Sequence, residues 1–164
     1  MPSIVSAIIR AGLQAIYSNG GSAKQNVSRT PLCQFTDGNG ASQANRLYDT
    51  DAADLSLAAS ATQTYNLTSL VDSLGNTIVA TKIKGLVIEH RANSAAVSGV
   101  TIGGGSNPVF GTQLTGLPLL PGDHIQICFK SGYTVTAVTG MNLGIVNADS
   151  SHIATVRVTL LLSQ

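Results

Sequence analysis

From residue 51 onward, hydrophobic and polar positions alternate in short stretches, and each stretch ends at Gly, Pro, Asn or Asp. The stretches are rich in Val, Ile and Thr, which pack well on a pleated surface, whereas the flanking residue types provide the backbone angles of turns. Turn signals recur about every 8 to 15 residues, as expected of a sandwich of short strands. The pattern predicts an all-β fold, namely a jelly-roll-like antiparallel β-sandwich.

Individual strands can be placed from the same pattern. We predict strands or strand-like elements at 55–57, 79–91, 97–102, 124–130, 135–138, 143–146 and 153–162. Gly85 interrupts the longest stretch and predicts a β-bulge or a close backbone approach there. Ile125, Ile127 and Phe129 are two positions apart and are expected to share one face of their strand.

The N-terminal residues fit two kinds of regular structure. Apolar residues follow the spacing of one helix face at Ile4, Val5, Ile8, Ile9, Leu13 and Ile16. The same stretch is rich in Ile and Val, which also favours a strand. We predict an N-terminal arm, either a short amphipathic helix or an extended segment, that docks its apolar side on a neighbouring molecule. Arg10 interrupts the apolar run and no basic residue precedes it, so a signal peptide or membrane-spanning helix is not expected.

Residues 18–50 are polar, rich in Gly, Asn and Ser, and show little periodicity. Loops of this length are uncommon inside compact domains and are usually functional or disordered. Leu32, Phe35 and Tyr48 are spaced as anchors, and the pattern fits either an arm that lies across another subunit or a flexible tail. We therefore divide the chain into an N-terminal arm and extended loop, 1–50, and a β-sandwich domain, 51–164.

Composition bears on the surface of this domain. Charged residues make up only 10% of the 164-residue chain, against roughly 25% in typical soluble domains. The hydrophobic fraction of 43% is too high for a disordered chain, and the length suffices for one domain with its own core. The low charge favours a surface that other subunits cover, while a monomer covered by Ser, Thr and Asn is the alternative.

The balance of charges argues against two classes of partner. The net charge is +1, and the basic residues are scattered along the chain. Nucleic-acid binders usually carry a basic patch or stripe, so neither a nucleic acid nor an anionic membrane is an expected partner. Only Lys82 and Lys84 lie close together, and we expect them to form a solvated strand edge.

Two cysteines, Cys33 and Cys128, lie far apart in the sequence. Two cysteines do not define a disulfide framework, and a bond between them is left open. Cys128 falls in an apolar strand pattern, where we expect it to be a small buried hydrophobic residue. No second Cys or His lies at ligand spacing from either cysteine, so no metal or other cofactor is expected.

The candidate acid and base residues do not form a recognisable catalytic arrangement. Glu89 and His90 are sequence neighbours, as are Asp123 and His124. Within a strand, adjacent side chains point to opposite faces, so neither pair suits acid–base catalysis. His152 follows a polar loop and is expected to be exposed. We predict that the chain is not an enzyme.

The order of motifs over residues 82–162 resembles that of small structural proteins of tailed bacteriophages. These motifs are LVIEHRA, VTIGGG, LLPGDHIQICF, GYTVTA, MNLGIVN and a final TVRVTLLL. The resemblance implies a capsid decoration (cement) protein with a jelly-roll or related β-sandwich fold. Such proteins are typically dimers or trimers on the outside of the shell. The first 50 residues match no motif of that family.

The resemblance implies a virion structural protein, made in the host cytoplasm, that bridges subunits of the major capsid protein and stabilises the shell. We favour a homotrimer over a dimer. The candidate contacts with other subunits or with the capsid are Ile4, Ile8, Ile9, Leu13, Ile16, Leu32, Phe35 and Tyr48. The alternative function is a carbohydrate- or receptor-binding module of a tail or fibre, with Tyr48 and Tyr133 as aromatic platforms.

Overall fold

Every regular element in the described part of the chain is a β-strand, which confirms the all-β prediction. The computed structural model describes residues 6–10, 13–18, 24–29, 32–50, 54–72, 74–103 and 105–164. The strands are β1 (Ser6–Arg10), β2 (Leu13–Ser18), β3 (Lys24–Arg29), β4 (Leu32–Thr36), β5 (Arg46–Asp49), β6 (Leu55–Leu57), β7 (Thr62–Asn66), β8 (Leu70–Val71), β9 (Thr77–Ile78), β10 (Lys82–His90), β11 (Val100–Ile102), β12 (Leu117–Leu119), β13 (His124–Thr134), β14 (Asn142–Asn147) and β15 (Ala154–Ser163).

Two antiparallel sheets share one hydrophobic core. The first has the order β13-β10-β15-β5, with β6 also pairing with β15, and the second has the order β12-β11-β14-β7. Leu86 and Val158 of the first sheet are buried in the same cluster as Ile102, Leu143 and Ile145 of the second. The two sheets therefore form a β-sandwich, as predicted from the alternating pattern.

The strands of the sandwich pair in a nested order. β5 and β6 are the first strands of the sandwich along the chain, and they lie beside β15, its last strand. The next strand, β7, lies beside β14. Further inside the sequence, β10 pairs with β13 and β11 with β12. The two-stranded β8–β9 hairpin is inserted between β7 and β10. As a result, the loops 58–61, 91–99, 120–123 and 148–153 meet at one end of the sandwich.

A bulge interrupts the pairing of β10 and β13. Ile83 faces Tyr133, but the next paired residue, Gly85, faces Cys128, so Lys84 lies opposite an extra loop in β13. This confirms the bulge predicted at Gly85. Gly132 has a φ of +84°, and a Cβ there would come within 2.9 Å of the Lys82 Cβ, so the loop depends on glycine.

Two predicted elements differ from the structure. The helix considered for the N-terminal residues is wrong, because β1 and β2 are strands that pair with β4 and β3. The abundance of Ile and Val, whose side chains branch at Cβ, is a better guide here than the helical spacing. The element predicted at 135–138 is a turn instead, in which Thr136 and Gly140 bond to each other and Val138 has a φ of +74°.

The sandwich begins slightly before the predicted boundary at residue 50. Strand β5 already pairs with β15 in the first sheet. Asn45 N–H also donates to the Leu162 carbonyl at 3.1 Å. The sandwich therefore includes residues from about position 45 onward, and the preceding segment is attached to it directly.

Candidate interaction surface

Residues 32–44, which we call the cover, pack on the outer face of the first sheet. In β15, Leu160 and Leu162 point into the main core, so Leu161 between them points outward. Phe35 and Ala44 of the cover are fully buried and form a second, small cluster with Leu161. The cover therefore folds onto its own sandwich, with Phe35 as its central anchor.

A disulfide joins the cover to the sheet. Cys33 in β4 is bonded to Cys128 in β13, with their Cα atoms 6.4 Å apart. Both cysteines are partly buried beside the small cluster. The prediction that Cys128 is simply a small buried hydrophobic residue is therefore wrong, because the fold brings β4 across the sheet to within bonding distance.

Lys84 lies beneath the cover. Its side chain is fully buried, and its ammonium donates to the Gly40 carbonyl at 2.8 Å and to the Ser131 carbonyl at 3.4 Å. Burial, and secondarily the positive charge of Lys82, lowers the pKa of Lys84. The expected solvated edge of Lys82 and Lys84 is thus wrong for Lys84, because the bulge turns this side chain under the cover.

Asn147, the last residue of β14, ties two loops together at one end of the sandwich. Its side-chain amide donates to the carbonyl oxygens of Leu57, Ala58 and His152 at 2.8–3.1 Å. Its side-chain oxygen accepts from the backbone N–H of Asp149 at 3.0 Å. This buried side chain therefore fixes the loop before β7 against the loop before β15.

Asp149 fixes a third loop. Its carboxylate accepts from the backbone N–H groups of Ser151 and His152 at 2.9 Å within its own loop, and from Val97 N–H at 3.1 Å in the loop after β10. These bonds, led by the one from Ser151, hold the pKa of Asp149 well below its usual range. His152 is exposed, as predicted, and its Nδ1 lies 3.1 Å from the same carboxylate.

His90, the last residue of β10, connects the loop after β10 to the end of β12, where the loop 120–123 begins. Its ring is buried, with Nδ1 2.7 Å from the Leu119 carbonyl and Nε2 2.8 Å from the Ser94 hydroxyl. The Ser94 oxygen already accepts from the N–H groups of Ala96 and Thr155. Its hydrogen must therefore point to Nε2, which assigns the proton on the neutral ring to Nδ1.

Three exposed aliphatic side chains project from these braced loops. Val97, Leu120 and Ile153 are 67%, 52% and 52% exposed, and we call them the aliphatic loop end. The loops that carry them touch, because Ala96 N–H donates to the Ile153 carbonyl at 3.1 Å and a Cβ on Gly99 would lie 3.4 Å from the Leu120 side chain. Rigid loops with exposed apolar side chains suit binding to another protein, because little conformational entropy is lost when the complex forms.

Charged side chains on the outer face of the first sheet neutralise one another. Asp54 bridges Arg91 and Arg157 at 3.2 and 3.1 Å, and Glu89 accepts from Arg91 at 2.6 Å. Glu89 is on this outer face whereas His90 is buried on the other, as the alternation of a strand requires. The side chains of these ion pairs are partly exposed and form a charge network at the surface.

The two proposed aromatic platforms are occupied by other rings. Tyr48 is partly buried and lies edge-on to Tyr65, with ring centroids 5.6 Å apart. Tyr133 packs against Phe110 and Phe129 at 4.9 and 5.5 Å. Each tyrosine therefore packs against aromatic residues of its own chain.

The contact residues predicted from the sequence fall into three groups. Ile4 lies outside the described residues. The backbone of the next five is described as strand, without their side chains: Ile8, Ile9, Leu13, Ile16 and Leu32. Phe35 is fully buried within its own chain, and Tyr48 is partly buried.

The sequence reasoning missed the residues that brace the loops. Asn147 and Asp149 stand in the run NADS at the end of a strand, and such residues commonly bond to backbone N–H groups two positions ahead. That signal was present in the sequence. Ser94 and Lys84 had no comparable signal, because their roles depend on contacts with distant segments.

Two observations on the described residues bear on small ligands and metals. These residues contain no group of three or more His, Cys, Asp or Glu residues that could hold a metal ion. A cleft lined by Ile102, Phe110 and Leu143 provides about 10 Å³, roughly the space of one water molecule. No helix in the described ranges is long and apolar enough to cross a membrane.

Comparison of the chain with protein-family models, with curated proteins and with solved structures found no match. The function is therefore inferred from the residues of this chain and their geometry.

Proposed function

We propose that this chain is a virion structural protein that decorates the outer surface of a tailed-phage capsid and stabilises it by bridging subunits of the major capsid protein. In this proposal it acts as a homo-oligomer, with a trimer favoured, and has neither nucleic acid nor membrane as a partner. The proposal combines the motif order of residues 82–162 with the fold and surface described above.

We further propose that the sandwich is a jelly roll. The support is its nested strand order, in which β5 and β6 pair with β15, β7 with β14, β10 with β13 and β11 with β12. That pairing is what two interlocked Greek keys of eight strands require, and jelly rolls of this kind build many viral shell proteins. The fold alone does not define a function, so the surface has to supply the argument.

The observation that carries the proposal is the aliphatic loop end. Val97, Leu120 and Ile153 are all more than half exposed. Asn147 and Asp149 nevertheless hold the loops of Val97 and Ile153 in place, and Asp123 accepts from the Leu120 N–H at 2.9 Å. Exposed apolar side chains on a preorganised backbone are typical of the centre of a protein interface. We assign the contact with the shell to this surface, and the N-terminal strands β1–β3 are the second candidate.

The disulfide fits a location outside the cell. Disulfides persist in oxidising surroundings, including virion surfaces, and are rare in proteins that remain in the cytosol. A decoration protein is made in the host cytoplasm but works on a released particle. The bond between Cys33 and Cys128 is therefore expected to form or persist where the proposed function is exercised.

A small contact is sufficient for this role because it is repeated over the shell. A stable interface between two proteins buries roughly 1,200–2,000 Å², and each bridge adds area that rupture of the shell must expose. A cyclic oligomer can match the local symmetry axes of the lattice, so that one oligomer joins several capsid subunits. The chain needs no reaction chemistry for this function.

Co-sedimentation with shells tests the proposal. Purified chain is mixed with shells that contain the major capsid protein but lack this protein, and bound chain is measured after centrifugation. We expect saturable binding and, for the free chain, a mass close to three times 16.8 kDa. A chain that remains in the supernatant at every concentration would contradict the shell contact.

A further inference from the structure

Few non-covalent contacts between the cover and the first sheet are found among the described residues. Of the cover's described apolar side chains, Phe35 and Ala44 are fully buried and pack against Leu161. One backbone hydrogen bond links it to the edge of the first sheet, from Ser42 N–H to the Lys130 carbonyl at 2.8 Å. Such a small cluster contributes much less than the main core, so closure depends on what else acts on the cover.

Lys84 acts against closure. The closed cover removes its side chain from water, while its hydrogen bonds go to the carbonyl oxygens of Gly40 and Ser131. Carbonyl oxygens replace only part of the hydration of an ammonium group, and burial of a charge is costly unless a counter-charge compensates it. Opening the cover returns this group to water.

The disulfide acts on the equilibrium between the closed and the open cover. We propose that the Cys33–Cys128 bond is a redox latch, which keeps residues 32–44 closed over Lys84 when oxidised and lets them open when reduced. The bond joins positions 95 apart in sequence, so it removes a large loop-closure cost. It also fixes β4 next to the small cluster that would otherwise have to hold the cover alone. This inference does not depend on the proposed function.

The chemistry of the latch is thiol–disulfide exchange. On opening, one thiolate of a low-molecular-weight dithiol attacks one protein sulfur, which forms a mixed disulfide and releases the other protein sulfur as a thiolate. The second thiolate of the dithiol then attacks the dithiol sulfur of the mixed disulfide and displaces the first protein sulfur. The protein gains two electrons and two protons as two thiols, and the dithiol becomes a cyclic disulfide. On closing, a small disulfide accepts the two electrons and leaves as two thiols.

Hydrogen exchange at single amides tests the latch. The Ser42 and Ala44 amides report on the cover, and the Asn147 amide, bonded to the Ala61 carbonyl at 2.9 Å, reports on the sandwich. We expect dithiothreitol to speed exchange at Ser42 and Ala44 by at least about tenfold and to leave Asn147 nearly unchanged. Equal exchange at Ser42 with and without dithiothreitol would overturn the proposal. Similar acceleration at all three sites would overturn it too, since the bond would then support the whole fold.

Substitutions separate the bond from the buried charge. The double variant Cys33→Ser with Cys128→Ser is expected to show fast exchange at Ser42 whether or not reductant is present. Lys84→Met keeps an unbranched side chain and removes the charge, so in the reduced protein it is expected to slow exchange at Ser42 severalfold. Lys82→Met is the comparison variant, and it should slow exchange at Ser42 much less, because the charge of Lys82 acts on Lys84 only secondarily. Faster exchange at Ser42 in Lys84→Met would show that Lys84 favours closure and would contradict the proposed balance.

Discussion

Asp149, in the loop after β14, holds the backbone of Val97, in the loop after β10, through a hydrogen bond of 3.1 Å from the Val97 N–H to its carboxylate. This bond places an exposed aliphatic side chain at a fixed position between two loops. The same carboxylate also closes its own loop through the N–H groups of Ser151 and His152. One buried acid thus organises much of the surface to which we assign the shell contact.

We expect Asp149 to make stability depend on pH in acid. Its pKa is lowered in the folded chain, so its contribution is fully present above its unfolded pKa of about 4 and is lost as the pH falls through the lower folded value. Asp149→Asn should therefore be less stable than the parent at pH 7, with a smaller difference between them at pH 2–3. Urea unfolding at both pH values measures this, and Asp37→Asn, at an exposed position, is the control. A constant difference at both pH values would contradict it.

Ser94→Ala is expected to destabilise the fold by about 1–3 kcal/mol, because it leaves His90 Nε2 and the Thr155 N–H without this partner. Chemical denaturation gives the free energy of unfolding directly. Ser98 lies in the same loop with its side chain exposed, so Ser98→Ala should change that free energy by no more than about 0.5 kcal/mol. Equal effects of the two substitutions would show that the His90 network does not brace the loop.

Gly103→Ala should destabilise the chain more than Gly75→Ala. Both glycines have positive φ, so each alanine costs about 1–2 kcal/mol in backbone strain. A Cβ at Gly103 would also lie 2.9 Å from the Thr115 Cα, whereas one at Gly75 would meet nothing within 4 Å. We expect this clash to add about 1–3 kcal/mol at Gly103, as the free energies of unfolding of the two variants will show. Identical values would mean that the 103–116 loop moves aside freely.

Substitution of the aliphatic loop end tests the assigned contact. We expect the triple variant Val97→Asp, Leu120→Asp and Ile153→Asp to lose co-sedimentation with shells, because charges at the centre of an interface lose their hydration on binding. Leu74→Asp is the control, since Leu74 is 74% exposed and lies in the β8–β9 hairpin. Each variant should keep the circular dichroism spectrum of the parent. Full binding by the triple variant would move the contact to another surface, with β1–β3 as the next candidate.

The strands of the sandwich could be predicted because their side chains alternate between core and surface. In β15, Val156, Val158 and Leu160 are buried at every second position, which is the signal that the sequence displays. The bulge at Gly85 could be predicted for a related reason, since a glycine inside a strand pattern seldom has a packing role. Local patterns of this kind are independent of the rest of the fold.

The cover could not be predicted in the same way. Lys84 resembles a surface lysine in the sequence, and only the return of residues 37–43 over the bulge buries it. The bond between Cys33 and Cys128 likewise depends on β4 crossing the sheet, which no short-range pattern encodes. The N-terminal strands illustrate a different difficulty, because Ile8, Ile9 and Leu13 fit helical spacing while the Ile and Val content of the segment favours strands.

The most direct test of the account is the copy number of this chain in purified particles of its source, measured by quantitative mass spectrometry against the major capsid protein. A decoration protein spread over the shell is expected in hundreds of copies per particle, in a fixed ratio to the major capsid protein. A few copies per particle would contradict decoration and point to a tail or fibre component. Absence of the chain from the particle would remove the virion role altogether.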